Sequence, residues 1–186
     1  LSFRELARHV PTGVISAFWV GTSAGVLMGL GAVYAVAAEV PEDRISTFLA
    51  APLIGSFLLQ FPIGWISDRI SRRTVMFWVA ATASALASLL TLVTPGSWFA
   101  IALMVLLGGT IFPLYSLTIA FTADWLPQAQ LTPASAALVR VNGVGAVFGP
   151  LVAAPLMAVA SPVMFFWTLV ATHAVIAGYI AWRVVF

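Results

Sequence analysis

The sequence predicts an all-α membrane protein with six transmembrane helices. Of its 186 residues, 62% are hydrophobic and only 8% are charged, whereas soluble domains are about 45–50% apolar. Residues 10–38, 45–67 and 74–123 carry no charged side chain, and a helix needs about 20 apolar residues to cross the hydrocarbon. Lipid must therefore cover most of the surface.

The six predicted spans follow one another with short connections. The first two uncharged stretches hold one span each, and the third holds two, separated by the turn residues Pro95-Gly96-Ser97. Two more fit between residues 133 and 186, with a break near Ser161-Pro162. We expect a juxtamembrane segment at residues 1–10 and a bundle at residues 11–186, with spans at 11–37, 46–66, 74–94, 98–122, 134–158 and 163–182. Because Leu1 is not an initiator methionine, we expect the sequence to be part of a longer chain.

Arginines are divided unevenly between the two sides of this bundle. Arg44 falls on one side, beside Glu39, Glu42 and Asp43. The other side carries Arg4, Arg8, Arg69, Arg72, Arg73 and Arg183. Since cationic loops stay in the cytoplasm, both termini are predicted to be cytoplasmic.

Small residues in the first and fifth spans predict close helix packing. Gly21, Gly25 and Gly29 recur at i+4 spacing, which leaves a smooth strip where another helix backbone can approach. The fifth span has a similar set that is expected to pack closely and to kink the helix, namely Gly145, Gly149 and Pro150.

The chain divides into two sets of three spans, and the first helix of each set is predicted to be interrupted. Gly29-Leu30-Gly31 precedes Tyr34, and Gly108-Gly109 with Pro113 precedes Tyr115. Broken helices at corresponding positions of inverted repeats indicate a transporter's binding region. Six side chains on the first, fourth and fifth spans are cavity candidates, each weighed equally against plain packing: Trp19, Ser23, Tyr34, Tyr115, Thr118 and Asn142.

A charged loop between the second and third spans carries the most specific pattern. Gly64, Asp68, Arg69, Arg72 and Arg73 have the spacing G-x-x-x-D-R-x-x-R-R. Together with Gly143-Val-Gly145-Ala-Val-Phe-Gly149-Pro150, this pattern resembles the major facilitator superfamily over all 186 residues, and most closely helices seven to twelve of its bacterial members. Ser71 stands where that family usually has glycine, so the loop is expected to be tighter or less regular here.

The resemblance implies one six-helix half, with two inverted three-helix repeats, of a secondary active transporter that moves a small solute by alternating access. Proton-coupled efflux and proton-coupled uptake are both compatible with it. The implied partners are the lipid bilayer of a bacterial inner membrane, a small-molecule substrate and the other six-helix half, with no cofactor and no nucleic acid. The alternative is a non-transporting scaffold or sensor on the same fold.

The charged loop itself has two interpretations. Asp68 can lie near the N-terminus of span five, whose free N–H groups favour an anion. The resemblance implies that Gly64, Asp68 and the three arginines form a latch that holds the cytoplasmic side shut. The alternative is a cationic loop that only fixes topology. Gly64 and Asp68 favour the latch, because a topology signal does not need them.

Arg140 is the most anomalous charge, because it lies about 10 Å along the fifth span, where an unpaired charge is costly. In one interpretation it is a cavity residue whose guanidinium holds an anionic substrate, with Asn142 nearby. In the other it extends to the cytoplasmic interface or pairs with Asp124. His173, in the middle of the last span, is expected to be a structural, hydrogen-bonded residue; the alternative is a proton relay, because imidazole titrates near neutrality.

No catalytic function is predicted. Two histidines and no cysteine provide neither a nucleophile with its base nor a pair of metal ligands. No carboxylate lies deep in a predicted span, since Glu39 and Asp124 are both near span ends. If transport is proton-coupled, the proton-carrying carboxylate is therefore expected in the other half.

Overall fold

The computed structural model describes residues 3–185, with side chains for residues 4–183. Within this range every regular element of secondary structure is a helix, which confirms the predicted all-α fold class. Leu1, Ser2 and Phe186, at the ends of the two predicted segments, lie outside the described residues. The helices of the described part are α1 (Phe3–His9), α2 (Pro11–Ala37), α3 (Glu42–Ser67), α4 (Arg72–Leu90), α5 (Trp98–Ala123), α6 (Leu131–Val159) and α7 (Met164–Val185).

Helices α2 to α7 are each long and apolar enough to cross a membrane. Helix α3 begins at Glu42, four residues before the expected position, because Glu42 and Asp43 stabilise the positive end of the helix dipole. Helix α4 ends at Leu90, before the turn in which Gly96 adopts a φ of 69°. A short 3₁₀ turn, Gln128–Gln130, precedes α6.

Helices α2 and α6 cross where glycines leave room for two backbones. A Cβ atom at Gly21 or Gly25 would overlap with the backbone of α6. In the same way, a Cβ atom at Gly145 or Gly149 would overlap with the backbone of α2. The four glycines therefore allow a close approach that a larger side chain would prevent.

Helices α3 and α5 cross in the same way. A Cβ atom at Gly55 would overlap with the backbone of α5 at Val105, and one at Gly108 would overlap with the backbone of Pro52. This second crossing corresponds to the first when α2 is matched with α5 and α6 with α3. Glycine thus sets the closest backbone contacts in both halves of the bundle.

The helix contacts repeat between the two sets of three spans. The most extensive pairs are α2 with α6 and α3 with α5, and α4 packs against α7. Exchanging the set α2–α4 with the set α5–α7 leaves this pattern unchanged. Because each set has an odd number of spans, the second set enters the membrane from the opposite side, as in an inverted repeat.

The predicted interruptions of α2 and α5 are wrong. Helix α2 continues through Gly29, and α5 continues through Gly108 and Pro113. Gly108 serves close packing instead, and neighbouring helices cover the buried Pro113, so that its missing hydrogen bond does not end the helix. Helix α6 likewise runs through Pro150 and Pro155.

An aromatic cluster fills the core at one end of the bundle. The Tyr34 ring on α2 stacks on Phe165 with 4.9 Å between centroids and on Phe48 with 5.8 Å. Phe166 meets the same ring edge-on at 4.8 Å. All four side chains are buried, so this cluster ties α2 to α3 and α7.

A buried polar pair joins α2 to α7 in the middle of the bundle. The Ser23 hydroxyl lies 3.3 Å from Nε2 of His173, and Nδ1 of His173 lies 2.8 Å from the Leu169 carbonyl. Because a carbonyl only accepts, Nδ1 donates to Leu169 and Nε2 accepts from Ser23. The prediction that His173 is hydrogen-bonded is confirmed.

Helices α3 and α6 form two exposed edges of the bundle. Phe57 and Phe61 on α3 are 85% and 77% exposed. Val147 and Leu151 on α6 are 64% and 68% exposed. Since α3 packs on α5 and α6 packs on α2, each edge presents an apolar face that lipid or other protein must cover.

Candidate functional site

The charged loop between α3 and α4 is organised around Arg72. Its Nη2 lies 3.0 Å from the Asp68 carboxylate at the end of α3, and its Nε lies 2.8 Å from the Asp124 carboxylate at the end of α5. The side chain of Arg72 is 27% exposed, against 65% for Asp68 and 50% for Asp124. One guanidinium thus holds two carboxylates from different helices, with charge-assisted contacts to both.

The end of α3 positions Asp68 through local hydrogen bonds. The Asp68 amide donates to the Gly64 carbonyl at 3.1 Å, and the Ser67 hydroxyl donates to the same oxygen at 2.8 Å. The chain then turns into α4 at Ser71, whose φ is −54°. That negative φ suits any residue, so serine replaces the family's glycine here without backbone strain.

The other two arginines of the loop make different contacts. The Arg69 guanidinium lies over the Trp65 ring, 3.5 Å from its centroid, and donates to the Trp65 carbonyl at 3.2 Å. Arg73 lies over Phe121 at 5.6 Å and donates to the Arg183 carbonyl at 3.4 Å. Cation–π contacts hold both side chains in place. Among the described residues, Arg72 is the loop cation that pairs with carboxylates.

The sequence had suggested that Asp68 could lie near the N-terminus of span five, which is α6. In the structure Asp68 does not contact α6. The cavities beside Asp68 are lined by residues of α3, α4, α5 and the loops next to them, and no residue of α6 contributes. The reason is topological, because α6 packs against α2 while α3 packs against α5. Arg72 is the partner of Asp68 instead.

Open space lies beside the loop. A Cβ atom built at Gly64 meets nothing within 4 Å. Next to it, a cavity of about 170 Å³ reaches Gln60, whose amide donates to the Ser116 hydroxyl at 2.9 Å. A larger cavity of about 650 Å³ borders Arg72, Arg73 and Asp124. The charged cluster therefore has an uncovered surface on the side of Gly64 and Asp68.

Three of the cavity candidates lie in the core and cannot line an open cavity. Tyr34 belongs to the aromatic cluster, and Ser23 is paired with His173. The Thr118 hydroxyl donates to the Leu114 carbonyl of its own helix at 2.8 Å and is buried. The hydroxyls of Ser23 and Thr118 are satisfied inside the bundle, and the Tyr34 ring is enclosed by buried aromatic side chains, which corrects their assignment as cavity residues.

The remaining candidates are partly accessible. Trp19 and Tyr115 are half-buried against the core formed by α2, α4, α5 and α7. Asn142 donates from Nδ2 to the Ala17 carbonyl at 3.1 Å, so its amide supports the crossing of α2 and α6. Trp19 and Tyr115 are still candidates for the cavity wall. The Asn142 amide, in contrast, is used in the contact between α2 and α6.

Arg140 does not pair with Asp124. It is exposed on α6 and makes no ion pair or hydrogen bond with the side chains and backbone described. Asp124 is held by Arg72 instead. The interpretation in which Arg140 pairs with Asp124 is therefore wrong.

The pairing of Arg72 with Asp124 was missed by the sequence analysis. The available signal was weak, because Asp124 and Arg72 are separated by two whole spans and share only their predicted position on one side of the membrane.

No group of three or more metal-ligating side chains occurs among the residues described.

Comparison with known proteins gives a family match over nearly the whole chain. Residues 13–186 match the model of the Major Facilitator Superfamily. The chain is also 29% identical over 153 residues to YfkF, an uncharacterized MFS-type transporter of Bacillus subtilis (strain 168). That match covers 80% of this chain but only 39% of the relative, so the chain spans well under half of the relative's length. No solved structure gives a significant match.

Proposed function

This chain belongs to the Major Facilitator Superfamily of membrane transporters, and from that premise we propose that it forms one six-helix half of a secondary active transporter. It is a multi-pass membrane protein with six membrane-crossing helices in the described part. In the proposal, the bundle moves a small solute by alternating access together with a second bundle. The 39% coverage of the Bacillus relative supports this, since a second bundle of similar size fits in the remainder.

The exposed edges support a role as one wall of a transporter. Helices α3 and α6 have the least buried surfaces of the six membrane-crossing helices. In the proposed assembly the second bundle covers part of these edges, and the solute path runs between the two bundles. Trp19 and Tyr115, which are half-buried, are the aromatic candidates for its wall.

The arrangement around Arg72 carries the proposal of a latch. Arg72 fixes Asp68 at the end of α3, while 65% of the Asp68 side chain and the space beside Gly64 stay open. We propose that a helix N-terminus of the second bundle occupies that space and binds Asp68 when the cytoplasmic side is closed. Rocking of the bundles breaks this contact and leaves the pairs of Arg72 intact.

The proposed orientation of the bundle in the membrane, and the proposed location of the proton-carrying carboxylate, follow from the positions of the charged residues. With both termini in the cytoplasm of a bacterial cell, the cluster of Asp68, Arg72 and Asp124 faces inward. Asp68 and Asp124 are at helix ends, and the described spans contain no carboxylate in their interior. In a proton-coupled cycle, whether efflux or uptake, the proton-carrying carboxylate then belongs to the second bundle.

Counterflow in proteoliposomes tests the proposed function. A panel of labelled solutes is offered to vesicles preloaded with the same unlabelled solute, and the protein is expected to accumulate one of them transiently. Asp68→Asn should reduce this exchange, and Glu39→Gln, which removes an exposed carboxylate outside the charged loop, serves as the matched control. A solute that binds the purified protein without any counterflow would favour the scaffold or sensor instead.

A further inference from the structure

A small pocket lies where three helices end on the same side of the bundle as the charged loop. Helix α2 begins beside it at Pro11, α4 begins at Arg72, and α7 ends at Val185. The pocket has a volume of about 70 Å³ and is lined by residues from α1, α2, α4, α5 and α7. This volume suits a group of a few heavy atoms, because sites for drug-sized ligands are roughly 300–1,000 Å³.

Two arginines of this pocket have no counter-charge. Arg73 and Arg183 line it, and neither forms an ion pair with a described residue. The Asp124 carboxylate, which borders the neighbouring cavity, is held by Arg72. Arg73 uses one N–H for the Arg183 carbonyl, and a guanidinium has five N–H donors, so most of them are available. The pocket therefore has two positive charges and several free donors.

The start of α2 adds neutral donors to the same pocket. Thr12 lines the pocket and is only 2% exposed, yet its hydroxyl makes no hydrogen bond with the described residues. Helix α2 has no side-chain cap and has Pro11 at its first position, so the Thr12 amide is its first free N–H group. An unpaired buried hydroxyl is costly, and an uncapped helix start attracts an anion. Both features indicate a missing acceptor at this point.

We propose that this pocket binds a phosphate group. Arg73 and Arg183 balance its charge and donate charge-assisted hydrogen bonds to its oxygens, while Thr12 donates from its hydroxyl and its amide. The donors come from α2, α4 and α7, and therefore approach the pocket from different directions. A tetrahedral phosphate accepts from such directions better than a planar carboxylate does, because it presents more acceptor oxygens.

Two sources of phosphate can reach the pocket. In the proposed orientation it is on the cytoplasmic side, where anionic lipid headgroups attract basic side chains. Inorganic phosphate and phosphorylated solutes of the cytoplasm offer the same group. No described residue of α3 or α6 lines the pocket, so a bound phosphate does not compete with a second bundle that covers the edges of those two helices.

Equilibrium binding to the purified protein in a neutral detergent tests the proposal. Labelled inorganic phosphate and labelled phosphatidylglycerol are the two probes. Arg73→Gln and Arg183→Gln should each weaken the binding of one probe by about tenfold or more, because hydrogen bonds to a charged group are lost. Arg140→Gln, which removes an exposed arginine outside the pocket, should bind like the wild type. The measurement needs no transport, so its result is independent of the counterflow experiment.

Thr12→Val tests the pocket without changing its charge. It keeps the shape of the side chain and removes a hydroxyl that has no partner, so the fold should stay intact while binding weakens by about threefold. Phosphatidylglycerol binding that inorganic phosphate does not displace would assign the site to a lipid headgroup, and binding of inorganic phosphate would assign it to a soluble phosphate. Binding of neither probe, or equal binding by the wild type and all three pocket variants, would overturn the proposal.

Discussion

At the residue scale, Arg72 determines how the charged loop is held. Its contacts to Asp68 and Asp124 are both about 3 Å long and partly exposed to solvent, so each pair contributes roughly 0.2–1 kcal/mol. Removing the guanidinium has a larger effect than removing either carboxylate, since it leaves two like charges close together. The cluster therefore depends on the central cation.

This asymmetry gives a first prediction. Arg72→Gln should lower the thermal unfolding midpoint of the purified protein more than Asp68→Asn or Asp124→Asn does. Adding Asp124→Asn to Arg72→Gln should restore part of the loss, because one of the two facing carboxylates is then removed. Strictly additive shifts in the double variant would show that the two carboxylates do not interact.

The buried pair of Ser23 and His173 gives a second prediction. Ser23→Ala leaves Nε2 of His173 without a partner in the core, and an unsatisfied buried group costs about 1–3 kcal/mol. The variant should unfold at a lower temperature than Ser88→Ala, whose hydroxyl donates only to the Ser84 carbonyl of its own helix. Equal unfolding midpoints for the two variants would contradict the pairing.

Residue roles were less predictable than helix positions. Tyr34, Ser23 and Thr118 are polar residues on long apolar helices, and the sequence alone does not show which neighbour covers them. The Thr118 hydroxyl bonds to its own helix, as threonine often does, and Tyr34 is covered by phenylalanines of α3 and α7. The Thr118 bond is local to its helix, whereas the covering of Tyr34 depends on long-range packing that periodicity does not encode.

At the scale of the elements, glycine spacing was informative about packing but not about helix continuity. Gly21 and Gly25 were expected to face another helix, and the structure places them against α6. Gly108 and Pro113 were expected to break α5, which instead stays helical because α3 packs closely on it. Glycine spacing identifies a helix surface made of small residues. Whether the helix is interrupted there or is crossed closely by another helix depends on the neighbouring helix.

The crossing of α2 and α6 gives a third prediction. Gly25→Ala places a Cβ atom where the backbone of Ala146 lies, so the helices must separate and the variant should be destabilised by about 1–3 kcal/mol. Gly143→Ala is the matched control, since its Cβ meets nothing within 4 Å and alanine favours a helix. Thermal unfolding that is as high for Gly25→Ala as for Gly143→Ala would argue against a tight crossing.

At the scale of the whole molecule, the even number of spans and the arginine distribution predict the topology. Reporter fusions placed after Glu42 and after Arg183 should report opposite sides of the membrane, with the second in the cytoplasm. The helix count in the described part agrees with an even number of crossings. The same side for both reporters would contradict the six-span arrangement.

In the proposed latch, Asp68 helps to hold the cytoplasmic side of the transporter shut. Gln60 lines the cavity beside Asp68, and the chain contains no cysteine, so Gln60→Cys introduces a single thiol at this point. Gln128→Cys, on the exposed 3₁₀ turn that follows Asp124, is the control for general reactivity.

The most direct measurement is the rate at which a membrane-impermeant maleimide labels Gln60→Cys from the cytoplasmic side of inside-out vesicles. Asp68→Asn should increase this rate, because the closed state loses the charge that binds the second bundle. The rate at Gln128→Cys should not change. An unchanged rate at Gln60→Cys in the presence of Asp68→Asn would contradict the latch and leave only a topological role for the loop.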